Sequence, residues 1–303
     1  MAGLPQTASA PAAAAQRRSF SPTWRRLARQ PVAMVSGFIL LAIVLVGAFG
    51  PHFVSPALVH LSDEWRNHPP TFRGWNLFGT DAIGENLLVR TLYGLHTSEM
   101  TALAATAMGT IFGVALGSIA GYRGGWLDAA IMRVTDLLGV FPLLVVFLAV
   151  YAYFTPVTAW KATFALTCFL WIPVARVVRA EIASIRDREF VQAALSLGAS
   201  DRRLFVRHLL PTASGTIIIA ATTLLAQVFV LEATLDFFGL GVSTATENTL
   251  GNLIGEGQRG VFALGEGWWA WGFTAAVLLV ILVCANLFGD GIAEALRPPT
   301  RRR

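Results

Sequence analysis

Residues 184–211 read SIRDREFVQAALSLGASDRRLFVRHLLP, the longest hydrophilic run between apolar segments in the C-terminal two-thirds of the chain. Asp187 is placed to cap a helix starting at Arg188, and Gly198 to stop it. Ser200 is placed to cap a second short helix with Asp201 in its first turn, and Pro211 marks the expected end of that helix. On the first helix, which carries Glu189 and Gln192, the side chains of Phe190, Ala194 and Leu197 share one face. Ala193, Ala194 and Gly198 are small, so another backbone can approach closely there.

The surroundings of this stretch are those of a membrane. Of 303 residues, 55% are hydrophobic and 14% charged, and the mean hydropathy is +0.60. Soluble domains of this size rarely have such a balance, whereas polytopic membrane proteins do. The net charge of +5 reads as a positive-inside bias. It does not read as a nucleic-acid surface, because the arginines flank apolar spans and form no aromatic-studded basic patch. Cys168 and Cys284, the two cysteines, lie inside apolar runs. No CxxC or Cys/His cluster exists, so neither a disulfide framework nor a metal site is expected.

Residues 1–16 are rich in Ala, Pro, Ser and Thr and read as a disordered tail. Arg17, Arg18, Arg25, Arg26 and Arg29 precede an apolar run, Val32 to Phe49. That run is long enough to span and is read as an uncleaved first helix rather than a signal peptide. Residues 50–99 are polar, broken by prolines, and read as an outside segment. The second span is expected over Met100–Tyr122, with Gly109, Gly113, Gly117 and Gly121 forming a small-xxx-small packing stripe. GYRGGWLDA, residues 121–129, reads as a tight inside turn. A third span is expected from near Ile131 to Tyr153, kinked by Pro142, with Arg133 and Asp136 spaced to pair. The fourth, about Trp160–Val178, has only Ala162–Ala175 free of charge and relies on snorkelling and burial. The fifth covers roughly Ala213–Leu235, and the sixth Trp268–Gly289, entered through Trp268, Trp269 and Trp271. This makes an all-α integral membrane protein: a cytoplasmic tail at 1–30, a six-span domain at 31–297 with a loop at 184–211, and a cytoplasmic tail at 298–303. Arg66, Arg73, Arg90, Lys161 and Arg259 fall outside in this arrangement, leaving 18 of the 23 Lys and Arg inside. That asymmetry places both termini in the cytoplasm of a bacterial inner membrane.

The 184–211 stretch resembles the cytoplasmic coupling loop of ABC-importer permeases. Ala193, Ala194, Gly198 and Leu210-Pro211 fall at that loop's spacing, while Gln192 stands where Glu is common. NLFGTDAIGENLLVRTLYG at 76–94 resembles the FGTD segment of peptide-type permeases through Phe78, Gly79, Thr80, Asp81, Gly84, Asn86, Arg90, Tyr93 and Gly94. GYRGGWLDAAIMRVTDLLGVFP at 121–142, LEATLDFFGLGV at 231–242 and NLFGDGIAEALRP at 286–298 are similar to further segments of the peptide/nickel branch, in the same order. The resemblance runs from about Leu77 to Pro298. It implies a heterodimeric core with a second permease subunit, two cytoplasmic ATPase subunits and an extracytoplasmic solute-binding protein. ATP and Mg would be held by the ATPases, with no cofactor on this chain. The solute implied is a di- or oligopeptide, with nickel or another small solute of the same branch as the alternative.

The chain has no G-x-x-x-x-G-K-[ST], H-E-x-x-H or G-x-S-x-G sequence, so no nucleotide or catalytic site of those kinds is expected. An ion-driven secondary transporter would show inverted repeats and mid-membrane ionisable residues, and neither is evident. Asp187, Glu189, Phe190, Gln192, Ala193, Ala194, Leu197, Gly198 and Pro211 are the candidate coupling residues. Glu232 and Asp236, at i,i+4 near the outer end of the fifth span, leave two readings open. They line the solute path, or they are helix-end carboxylates bonded to backbone or to a nearby arginine.

Overall fold

The computed structural model describes residues 25–60, 65–72, 74, 76–153, 156–242, 248–265 and 267–296. The tails expected before residue 25 and at 298–303 lie outside the described residues, as does Arg73. The helices, in chain order, are α1 (Pro31–Phe53), α2 (Leu87–Arg123), α3 (Gly125–Gly139), α4 (Leu143–Tyr153), α5 (Ala159–Arg186), α6 (Glu189–Ser196), α7 (Asp201–Phe237), α8 (Leu250–Leu264) and α9 (Trp269–Leu296). Five of them, α1, α2, α5, α7 and α9, are each long and apolar enough to cross a bilayer. The sixth crossing is a broken one, α3 and α4, bent by 80° at residues 140–142.

The broken pair counts as a crossing because of how its neighbours pack. α2 and α5 form the most extensive helix pairing of the molecule. Along their seam Gly109 faces Leu170, Gly113 faces Val174 and Gly121 faces Ile182. Both sets of numbers rise together, so α2 and α5 run parallel. The residues between them must therefore carry the chain back to its starting side. The glycine stripe permits this contact: a Cβ on Gly113 would lie 2.8 Å from the Trp171 carbonyl oxygen and 2.6 Å from Val174 Cβ. Small residues are what two membrane helices need to approach backbone to backbone.

α5 is longer than its uncharged core suggested. It is one helix through Pro173, Arg176 and Arg179 to Arg186. Leu166, Leu170, Val174, Val178, Ile182 and Ile185 form its buried stripe, at helical spacing. Its two inner arginines are tied to α3: Arg179 to Asp128 at 2.5 Å and Arg176 to Asp136 at 3.0 Å. Asp136 thus takes Arg176 of another helix, and not Arg133 one turn away as its spacing had suggested. The turn feeding α3 is tight because Gly124 and Gly125 both have positive φ, 65° and 59°.

Two further expectations are corrected, and one helix was not foreseen. α2 begins at Leu87, not Met100; the Asn86 side chain accepts from the Val89 amide at 3.1 Å and starts it. Its polar first turns are buried against protein, where Thr91 bonds Thr274 of α9 at 2.8 Å. Pro211 ends no helix. α7 runs from Asp201 through a wide π turn at Phe205–Leu209 and on to Phe237. Pro211 lacks an N–H and would press on the carbonyl four residues earlier, and the wide turn accommodates it. Finally, residues 250–264 form α8, an amphipathic helix capped by Thr249, whose hydroxyl accepts from the Asn252 amide at 3.3 Å. α8 sits at the end of the bundle opposite α6, against α7, α9 and α2.

Candidate functional site

α6 hangs below the end of α5. Arg188, and not Asp187, is its N-cap residue, and no side chain caps it. Asp187 is instead the C-cap of α5, where Arg186 Nε donates to it at 3.3 Å. Gln192 Nε2 donates to the Arg186 carbonyl at 3.2 Å and holds α6 against the end of α5. Glu189 opens the helix and is exposed, with its carboxylate in the electropositive first turn. Val191 is the buried anchor, and Ala194 packs beside it against the core. Phe190 and Leu197 point elsewhere: Phe190 is 43% exposed and Leu197 88%. The face expected to hold Phe190, Ala194 and Leu197 together is thus divided, with Ala194 inward and the two larger side chains outward. Leu195 joins them at 38% exposure, and Ala193 and Gln192 are exposed.

The C-terminal end of α6 follows the expected stop. Gly198 has φ +78°. Its amide donates to the Leu195 carbonyl at 2.9 Å, and the Ala199 amide to the Ala194 carbonyl at 3.1 Å. That is the two-bond termination of a helix by a left-handed residue. A Cβ at Gly198 would meet nothing within 4 Å. The apolar end of α6, from Leu195 to Gly198, is bare in this chain.

Polar ties connect this helix to the spans. Arg186 Nη1 donates to the Tyr122 carbonyl at 3.0 Å, and the Tyr122 hydroxyl donates to Asp201 Oδ1 at 2.7 Å. The ends of α2, α5 and α7 are therefore fastened around the root of α6. Reading the sequence missed Tyr122, Arg186, Asp128 and Arg179 as members of this site. The signal was present as two acids in GYRGGWLDA…TD and two arginines three residues apart, but their pairing crosses 40 to 51 residues. Pro211 is exposed and stands ten residues along α7 from its start, in helical conformation.

Glu232 and Asp236 lie on α7, each 2% exposed. Asp236 accepts hydrogen bonds from the Val242 backbone and the Thr249 hydroxyl. Glu232 Oε1 and Asp236 Oδ2 have no hydrogen-bond partner among the described residues. The two carboxylates line neither a cavity of about 350 Å³ beside Arg90 and Glu256 nor an apolar one of about 500 Å³.

At the opposite end, the described residues of 65–90 are organised by ion pairs centred on Arg90, whose side chain is 11% exposed. Arg90 reaches Asp81 at 2.8 Å, Glu85 at 3.0 Å and Glu256 of α8 at 2.7 Å. Asp81 Oδ1 also accepts from the amides of Ile83 and Glu85, at 3.1 and 2.7 Å. Thr80 bonds the His68 amide at 2.9 Å, and the Tyr93 hydroxyl donates to the Val54 carbonyl at 2.7 Å. Phe78 stacks on Phe273 of α9. These contacts bind this segment to α1, α8 and α9.

Comparison with known proteins gives the following. Residues 113–302 match the family model of the binding-protein-dependent transport system inner membrane component. Residues 20–70 match the N-terminal TM domain of oligopeptide transport permease C. The dipeptide transport system permease protein DppC of Bacillus subtilis (strain 168) is 33% identical over 280 residues, 92% of this chain and 85% of that protein. The oligopeptide transport system permease protein OppC of Mycobacterium tuberculosis (strain ATCC 25618 / H37Rv) is 34% identical over 286 residues, 91% of this chain and 94% of that one. Among solved structures, an inward-facing conformation of the MetNI methionine ABC transporter shares the fold, with a TM-score of 0.56 at 16% identity. That match covers 69% of this chain and 97% of the other.

Proposed function

The chain belongs to the family of inner-membrane components of binding-protein-dependent transport systems, the permeases of ABC importers, and on that premise we propose that it carries di- and oligopeptides across the bacterial inner membrane. As a permease it is a multi-pass transport subunit without a catalytic domain, working with ATPase and binding-protein components. The peptide assignment is supported by the relatives, two of which are a dipeptide and an oligopeptide permease.

In this reading a second permease subunit completes the path, and two ATPase subunits bind ATP and Mg on the cytoplasmic side. α6 is the lever between them. The observation that carries the proposal is the bare apolar surface of α6, with Phe190 and Leu197 exposed on a short helix anchored through Val191, Ala194 and the Gln192 bond to α5. Exposed apolar side chains on a short helix outside the bilayer suit a protein groove. ATPase closure pushes α6, and the ties through Arg186, Tyr122 and Asp201 pass that motion to α2, α5 and α7 as rigid bodies. Both termini and residues 184–211 face the cytoplasm, while residues 65–90 and α8 meet the binding protein. Glu232 and Asp236 face the path in the conformation where solute passes.

Uptake of a labelled di- or tripeptide into cells lacking only this chain tests the assignment. Uptake should vanish and return with the wild-type chain. Unchanged peptide uptake in the deletion strain would show that the solute is another.

A further inference from the structure

Two of the spans show what this chain turns towards lipid. α1 presents Phe38, Leu41 and Leu45, and α2 presents Ile111, Phe112 and Ile119. α7 differs. Its Thr223 and Gln227 are exposed, beside Val230 at 49% exposure, and Thr216 and Thr234 flank them half-buried. These five positions are spaced by seven, four, three and four residues, so they fall on one stripe of the helix. The Thr234 hydroxyl is spent on the Val230 carbonyl at 2.7 Å. The Thr223 hydroxyl and the Gln227 side-chain amide have no hydrogen-bond partner among the described residues.

Gln227 is ten residues from Phe237, the end of α7, or about 15 Å along the axis. In a hydrocarbon core of about 30 Å it is near the middle, where a primary amide without a partner is costly against lipid. The other sides of α7 are covered: Leu224, Val228 and Leu235 are buried, and the helix packs against α2, α5, α8 and α9. Glu232, nine residues from Thr223 and so half way round the helix, is buried as well. The polar stripe is the face of α7 that is open in this conformation.

The chain also shows what a close helix contact requires. Gly109, Gly113, Gly117 and Gly121 of α2 let α5 approach backbone to backbone. The α7 stripe has no glycine, and its longer side chains hold a neighbouring helix off. It carries no charge either. A glutamine amide both donates and accepts hydrogen bonds, and so does a threonine hydroxyl. The peptide group presents the same pair, one N–H and one C=O. These side chains therefore match a peptide backbone in either direction, whatever residues it links.

We propose that this stripe lines the aqueous path of the permease, and that Thr223 and Gln227 hydrogen-bond the backbone of the passing peptide. Because the contact is uncharged and made to the backbone, it admits peptides without regard to their charge. The inference rests on the peptide reading of the function and adds to it the face of the chain that the solute touches.

The test uses the whole importer in nanodiscs, which are open to reagents on both sides, with Cys168→Ala and Cys284→Ala in this chain. A charged, lipid-insoluble methanethiosulfonate should label Thr223→Cys and Gln227→Cys at least about tenfold faster than Ile111→Cys, because it reacts with a thiolate and neither ion enters hydrocarbon. Labelling at position 227 no faster than at position 111 would overturn the proposal, whether lipid or the second permease covers the face. In proteoliposomes, uptake of a lysine-containing tripeptide relative to a glutamate-containing one should rise about tenfold over the wild-type ratio in Gln227→Glu and fall about tenfold in Gln227→Lys. A ratio that neither variant shifts would overturn the contact with the peptide. No uptake of either peptide by the wild type, with labelling at position 227 intact, would overturn the peptide as ligand and the reading it rests on, while the face remains water-lined. The labelling comparison needs no transport and does not depend on the charged variants assembling.

Discussion

Replacing Gly198 by valine separates the coupling function of α6 from the stability of the membrane core. Gly198 has φ +78°, a conformation that costs a side-chain-bearing residue about 1–2 kcal/mol, most for a β-branched one. Beyond its two chain neighbours, nothing lies within 4 Å of a Cβ at this position, so no tertiary packing penalty adds to the strain within this chain. One to two kcal/mol changes the population of the native helix end by a factor of about 5–30. The two closing bonds, from the amides of Gly198 and Ala199, should open, and Leu197 should lose its fixed position beside them. We predict that Gly198→Val inserts normally and keeps the thermal stability of the chain within about 1 kcal/mol. It should nevertheless co-purify with far less ATPase and transport peptide slowly in proteoliposomes. Gly198→Ala should be intermediate. Gly198→Asn should be close to wild type, because asparagine tolerates the left-handed region. Full transport by Gly198→Val would refute the reasoning, and an asparagine variant as disabled as the valine one would show that strain is not the cause.

The remaining predictions address other parts of the fold. Gly113→Val places its side chain against Trp171 and Val174 of α5 and should lower stability by at least about 1–3 kcal/mol, read as a fall in melting temperature in detergent. Arg90→Ala leaves the buried Asp81 without its cation and the partly buried Glu85 with His60 alone and should cost about 3–5 kcal/mol locally. Hydrogen exchange should accelerate at residues 76–90 and leave α5 unchanged. Arg176→Ala removes an ion pair whose side chains are about half exposed, 47% and 61%. It should change stability by less than about 1 kcal/mol in thermal unfolding of the purified chain.

What could be read from the chain alone was what depends on neighbours in sequence. Gly198 stops α6 because its own backbone, its amide and the Ala199 amide that follows do so. The glycine stripe of α2 meets another helix because four small residues at helical spacing leave it little else to do. What could not be read depends on partners far along the chain. Hydropathy ended α5 at its arginines, yet Arg176 and Arg179 remain in the helix because Asp136 and Asp128 of α3 meet them. The same distant pairing undid the expected Arg133–Asp136 pair. α2 began thirteen residues early because its polar turns are buried against α1, α8 and α9, so lipid never meets them. Asp187 looked like a cap by residue type but was taken by the end of the preceding helix.

The central claim is that α6 seats in an ATPase subunit. A benzoylphenylalanine side chain at position 197, which is 88% exposed, tests it directly in inner-membrane vesicles carrying the whole importer. The same group at position 72, which is 99% exposed on the opposite side, serves as the comparison. On irradiation, position 197 should cross-link to the ATPase subunit and position 72 should not. A chain that cross-links to the ATPase from position 72, or one whose position 197 captures only lipid, contradicts the account.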